Sequence, residues 1–197
     1  MRKNFFNFIL ISILMSISAI ARAHIGTGTA ENGAFMAGVT HPLLGLDHLL
    51  AMLAIGLWAG QNKGRTLWIA PLSFMLFMVI GGILGMFNFN LPITEHAILV
   101  SLIVFGGLIT LSIKPNTVIA IILISIFAIF HGHAHGTEMA ITASVAQYII
   151  GFMLTTGLLH LIGIAIAKTS LFNSKAYVSK VAGSGIVATG IALMIMH

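Results

Sequence analysis

Asp47 stands before His48, Glu95 stands before His96, and Glu138 follows His131, His133 and His135 within eight residues. The chain has only four acidic residues, so three of them sit beside imidazole, with Glu31 the exception. An ionisable group in a membrane-type apolar helix costs roughly 2.5–3.5 kcal/mol on insertion scales and usually marks function. Carboxylates bring negative charge, and neutral imidazoles bring borderline-soft nitrogen that suits nickel, cobalt, copper and zinc. No cysteine is present, so thiolate ligands, disulfides and thiol nucleophiles are excluded. A divalent-cation site is the simplest chemistry that these residues share.

The first cluster is HPLLGLDHLLAM, from His41 to Met52. Pro42 suits a first helical turn, where its missing N–H costs nothing. On one continuous helix His41 and His48 share a face with Gly45, Met52 and Gly56, and Asp47 points about 100° away. The plainer alternatives are an interfacial imidazole at His41 and a structural polar pair at Asp47 and His48. The second cluster is FHGHAHGTEM, from Phe130 to Met139, expected to join two helices on the outer side. His131, His135 and Glu138 align if this stretch is helical, whereas Gly132 and Gly136 make a tight loop an equal expectation. Glu95 and His96 open a further helix, where an acid offsets the helix dipole as readily as it ligates a metal. Glu138, Thr142, Thr156, His160 and Gly163 fall within about 40° of one another on an ideal helix, a sparse polar stripe. His160 is the lone histidine of the inner half: a relay ligand, or an imidazole bonded to a neighbouring helix. Met52 and Met139 read as packing residues.

These groups need an apolar scaffold, and the chain supplies one. It is 58% hydrophobic and 7% charged, with a mean hydropathy of +1.09. A soluble domain averages about 25% charged residues; only the bilayer suits a surface this apolar. Met1 to Ala23 reads as a cleavable signal peptide, with Arg2 and Lys3, an apolar run from Phe5 to Ile20, and Ala21-Arg22-Ala23 as cleavage site. Cleavage frees the amine of His24, and amine plus imidazole would chelate a metal at the entrance. Six apolar stretches follow: Pro42 to Gly60, Thr66 to Phe87, Glu95 to Ile113, Thr117 to His131, Met139 to Ala167, and Ala176 to Met196. The fourth is short, and the fifth is long enough to tilt, or to bend at Gly151 or Gly157. The expected fold is an all-α membrane protein: residues 1–23 are the signal peptide, and 24–197 form one bundle of about six transmembrane helices. Gly56 and Gly60, Gly81 and Gly85, and Gly132 and Gly136 are each four apart, as close helix packing requires, but their spacing identifies no partner.

Charge tests this map. With His24 outside, Lys63 and Arg65, then Lys114, then Lys168, Lys175 and Lys180 all fall on the inner side. The outer loops, Asn88 to Thr94 and Gly132 to Thr137, contain no Lys or Arg. That is the positive-inside pattern, and it puts both mature termini outside. The nine basic residues are scattered, with no basic patch for nucleic acid. No G-x-x-x-x-G-K-[ST] sequence occurs, so ATP hydrolysis by this chain is not expected. Haem ligation would need facing histidines at mid-membrane, but these cluster with acids at one end. A metalloenzyme using bound water is a remote alternative, and the chain is read as a non-enzyme.

The residues His41-Pro42, Gly45, Asp47-His48 and Met52, with His131-Gly132, Ala134-His135-Gly136 and Glu138, resemble the HupE/UreJ family of nickel and cobalt permeases. The resemblance covers essentially the whole chain. It implies a secondary transporter taking Ni²⁺ or Co²⁺ across the bacterial inner membrane, with the metal as substrate and no organic cofactor. His133 has no place in the shared pattern. The main site would comprise Asp47, His48, His131, His135 and Glu138, with His41, His24, Glu95, His96 and His160 as further ligand candidates. The alternative is a membrane accessory or sensor for hydrogenase or urease maturation that binds metal and moves none. Besides metal and lipid, an oligomer or an accessory subunit stays open.

Overall fold

The computed structural model describes residues 31–139, 144–172 and 177–196. The signal peptide, His24, Thr142 and Lys175 lie outside them. The described residues are all-helical: α1 (Glu31–Leu44), α2 (Leu46–Gln61), α3 (Thr66–Met86), α4 (Thr94–Thr110), α5 (Thr117–Glu138), α6 (Val145–Phe172) and α7 (Tyr177–Met196). Four of them, α3, α5, α6 and α7, are long and apolar enough to cross a membrane. The pair α1 and α2 passes the same test together, bent by 81°, and α4 is a shorter apolar helix of 17 residues. The chain is a multi-pass membrane protein.

Packing follows the small residues. Glycines on α3 and α5 face each other: Gly81 lies against the Ile129 carbonyl, Gly85 against His133, Gly132 against Met78 and Gly136 against Gly82. The helices run parallel and nearly backbone to backbone. Gly56 and Gly60 on α2 meet α6 in the same way at His160 and Ile164, while Gly163 of α6 meets Leu53. Gly38 of α1 lies on Tyr148 and Gly151 on Phe35, and Gly106 of α4 faces Gly183 of α7. The glycine pairs therefore do have definite partners. Large apolar side chains point outward instead: Leu72, Leu76 and Ile80 on α3, and Leu154, Leu158 and Leu161 on α6, are exposed. In lipid that arrangement is favourable, because the bundle is held by close backbone approach rather than by hiding leucine from water.

Four expectations need correction. The first stretch is not one helix from Pro42, because the chain breaks at Gly45, which is extended (φ −86°, ψ 114°). Pro42 sits in the last turn of α1 rather than in a first turn. Its ring and missing N–H do not suit a helix interior, and α1 ends two residues later. The fourth stretch is not short, and no outer loop occupies Gly132 to Thr137: α5 runs 22 residues, through the histidines, to Glu138. The fifth stretch does not begin at Met139 either. Helix α6 starts at Val145 and runs unbroken through Gly151 and Gly157 to Phe172, so Glu138 belongs to a different helix from Thr156 and His160.

The bundle has two chemically distinct ends. At one, Trp58 Nε1 donates to the Ile113 carbonyl (3.0 Å), Gln61 Nε2 to Ile109 (3.2 Å) and Lys168 Nζ to Asn62 (2.9 Å), and the Thr66 and Thr117 hydroxyls meet at 2.7 Å. Lys63, Arg65 and Lys114 lie in the connections at this end. The other end carries Asp47, Glu95, Glu138 and the histidines of α1, α2 and α5.

Candidate metal centre

The break at Gly45 delivers His41 and His48 to one place from different directions. His41 ends α1, and His48 occupies the first turn of α2. They do not share a helix face, yet both meet His135 of α5: ring centroids are 4.7 Å apart for His41 and 4.2 Å for His48. His131, one turn earlier on α5, lies 5.1 Å from His48, with perpendicular rings. Glu138 closes the group, its Oε2 3.2 Å from His41 Nε2. One donor atom each from His41, His135 and Glu138 falls within 4.8 Å of the others, close enough for one ion to draw all three in. Asp47 does not point away from the group. Its Oδ1 accepts from the backbone N–H of His48 and from the same imidazole's Nδ1, both at 2.9 Å.

Hydrogen-bond logic fixes which nitrogens remain for a metal. A carboxylate only accepts, so His48 Nδ1 carries the hydrogen and Nε2 the lone pair; that Nε2 is buried and has no partner. Ser101 gives its hydroxyl hydrogen to the Ile98 carbonyl at 2.6 Å. Its contact with His131 Nε2 at 3.0 Å is therefore a bond donated by the ring, which leaves Nδ1 with the lone pair, buried and unpartnered. Both nitrogens of His135 are buried without a partner. An unsatisfied buried polar group costs about 1–3 kcal/mol. Three neighbouring imidazoles therefore hold buried, unsatisfied nitrogens beside two carboxylates. Orienting a ligand histidine through its other nitrogen is the usual outer-shell device of metal sites. Phe74 (5.6 Å from His131), Phe152 (4.3 Å from His135) and Tyr148 (5.9 Å from His41) wall the group.

The other candidates are distributed unevenly. Glu95 and His96 lie in the exposed first turn of α4. His160 is buried on α6, its ring 5.3 Å from that of Phe74, which also lies 5.6 Å from His131. His133 faces away from the cluster: its Nε2 donates to the Phe89 carbonyl at 2.7 Å, and its Nδ1 faces the Thr94 hydroxyl at 3.3 Å. This explains why it falls outside the shared pattern. Ser101, Phe74 and Tyr148 were not foreseen. Each stands alone in an apolar helix, and only the tertiary fold brings it to a histidine.

The profile of the HupE / UreJ protein family matches residues 12–193. Protein HupE of Rhizobium leguminosarum bv. viciae is 36% identical over 181 residues, covering 92% of this chain and 93% of that protein. No solved structure matches the chain. A family match across nearly the whole sequence and a relative of equal extent, both consistent with the histidine–carboxylate centre, establish that the chain belongs to the HupE/UreJ family.

Proposed function

We propose that this protein is a secondary transporter for a divalent transition-metal cation, nickel or cobalt, across the bacterial inner membrane. The reading rests on one observation: imidazoles from two helices, α2 and α5, hold buried unsatisfied nitrogens next to His41 of α1 and two carboxylates, inside a chain that crosses the membrane. Neutral nitrogen and anionic oxygen together replace part of the hydration shell of a borderline-soft dication. Asp47 and Glu138 supply the compensating charge, His48, His131 and His135 the nitrogen donors, and His41 a further donor once a cation displaces it from Glu138. Glu95 and His96, exposed in the first turn of α4, would attract the ion at the mouth, and the His24 amine and imidazole would add to them. Nickel or cobalt is what family membership implies, and the donor set accepts both. The ion is cargo, no organic cofactor takes part, and the chain is not an enzyme. The positive-inside rule puts the basic end in the cytoplasm, the histidine end in the periplasm and both mature termini outside, with residues 1–23 removed as a signal peptide.

One observation keeps the accessory reading open. The basic end is tied shut by the Trp58, Gln61 and Lys168 bonds to facing carbonyls, which suits a receptor as well as a transporter closed on its inner side. Radionickel uptake by cells expressing the protein decides between them. Saturable uptake, lost in an Asp47→Ala/His48→Ala variant at equal membrane abundance and competed best by Co²⁺, supports transport. Metal binding by the purified protein with uptake no higher than empty cells would leave only the accessory role.

A further inference from the structure

His160 is 1% exposed, and neither of its ring nitrogens has a hydrogen-bond partner. A neutral imidazole carries one N–H and one lone pair; here neither is satisfied, and the outer cluster does not use them. A purely structural histidine between helices ties itself to a backbone carbonyl or a hydroxyl. This one touches the edge of Phe74 at 5.3 Å and sits where Gly56 of α2 comes against its carbonyl.

One turn outward on the same face of α6, Thr156 is fully buried and donates its hydroxyl to Sδ of Met52, also fully buried, at 3.4 Å. Met52 is likewise one turn outward from Gly56 on α2. Because α2 and α6 run parallel in backbone contact, the two steps coincide. The thioether and the hydroxyl thus lie one helical turn from the imidazole on the same seam. A thioether is a weak acceptor, so the hydroxyl–sulfur bond exchanges readily for better partners. Sequence reading had treated Met52 as packing; its hydrogen bond places its sulfur on the polar seam instead.

We propose that His160, Met52 and Thr156 form a second, inner station for the transported ion, built from imidazole nitrogen, thioether sulfur and hydroxyl oxygen. The proposal rests on the transport reading. Asp47, Glu95 and Glu138 all lie at the other end of the bundle, away from it. The inner station is therefore neutral, softer and weaker than the outer cluster. That order suits passage, because conduction needs sites weak enough to leave as well as favourable enough to enter. The Phe74 ring lies 5.6 Å from His131 and 5.3 Å from His160, centroid to centroid, so one aromatic side chain touches both stations.

The test uses full-length protein in lipid nanodiscs with Ni²⁺ alone or Co²⁺ alone, alongside uptake by cells. Met52→Leu conserves volume and so is tolerated in a packed interior, and His160→Leu removes the imidazole. Wild type is expected to bind two ions per chain, with sulfur scattering in the nickel X-ray absorption spectrum. Met52→Leu should lose the sulfur signal and weaken only the second site. His160→Leu should bind one ion with the tighter affinity unchanged, and take up nickel at least tenfold more slowly. One ion per wild-type chain without a sulfur ligand, or wild-type uptake by both variants, overturns the inner station and leaves the outer site untouched. A wild type that binds two ions and moves none overturns the transport reading while supporting the second station.

Discussion

The rings of His48 and His135 lie 4.2 Å apart, centroid to centroid, and between them present three buried nitrogens that have no partner. Such a pair is a cost to the empty protein and a gain only when a cation arrives. Metal-free His135→Leu is therefore expected to be at least as stable as wild type in thermal unfolding of the detergent-solubilised protein. Nickel at a hundred times its dissociation constant should stabilise wild type by about 2.7 kcal/mol and the variant not at all. A metal-free variant weaker by more than about 2 kcal/mol, the scale of a broken buried hydrogen-bond partnership, would make His135 a structural residue.

In the proposed site Asp47 would act on the metal through His48. By holding Nδ1–H at 2.9 Å it fixes the tautomer and leaves the lone pair on the buried, unpartnered Nε2. Asp47→Asn keeps a hydrogen-bond acceptor but loses the charge, and should cost roughly 10–100-fold in nickel affinity, the range found for outer-shell partners of metal ligands. Asp47→Ala should cost more, because the imidazole then turns freely. Equal affinities for all three proteins would remove Asp47 from the site.

His133 should separate from its neighbours in the same assay. It holds the outer connection between α3 and α4 at Phe89 and Thr94, where Ile93 adopts a left-handed backbone (φ 58°) uncommon for a β-branched residue. His133→Ala should lower thermal stability by about 1–2 kcal/mol, the worth of a buried hydrogen bond and its orphaned carbonyl, and leave nickel affinity within threefold. His133→Gln, which can still donate to Phe89, should recover much of that stability. A loss of metal binding equal to that of His131→Ala would place His133 in the site after all.

The positions that set the site are the glycines beneath it. A Cβ at Gly132 would collide with the Met78 carbonyl, whereas one at Gly107 meets nothing within 4 Å. Gly132→Ile is expected to push α3 from α5, displace His131 and His135 together, and abolish nickel binding along with most of the protein's membrane abundance. Gly107→Ala should leave both unchanged or gain up to about 1 kcal/mol from helix propensity. Gly132→Ile with normal abundance and affinity would mean that the α3–α5 crossing does not position the centre.

Much of this was legible in the sequence, because the bilayer leaves so few choices. Apolar length gave α3 and α7 to within a residue and α4 to within three, and the rarity of acids singled out Asp47, Glu138 and their histidines, which the fold brings together. The missing parts share a physical cause. Helix α1 is short and contains four residues of Gly and Ala among its first eight positions, so hydropathy alone does not flag it. The break at Gly45 depends on what α1 packs against, and the glycine run of α5 reads equally well as a loop or as a close helix crossing. Which of the two forms is decided by the matching glycines of α3, more than forty residues away. The polar stripe failed for a related reason: an ideal-helix projection cannot foresee that Glu138 ends α5 and that Thr156 and His160 belong to α6.

The absence of cysteine makes the orientation directly measurable, since any introduced thiol is the sole label. Phe89 and Pro92 lie in the connection beside His133, and Lys63 and Lys114 lie in those at the opposite end. With the basic end in the cytoplasm, Phe89→Cys and Pro92→Cys should react with a membrane-impermeant maleimide in intact cells, and Lys63→Cys and Lys114→Cys only after the membrane is opened. Charge alone carries this expectation, and the hydrogen bonds that join Asn62, Ile109 and Ile113 to the basic end require its two connections to label alike. The reverse pattern would place the histidine cluster in the cytoplasm, and the same metal centre would then open toward export or toward delivery inside the cell.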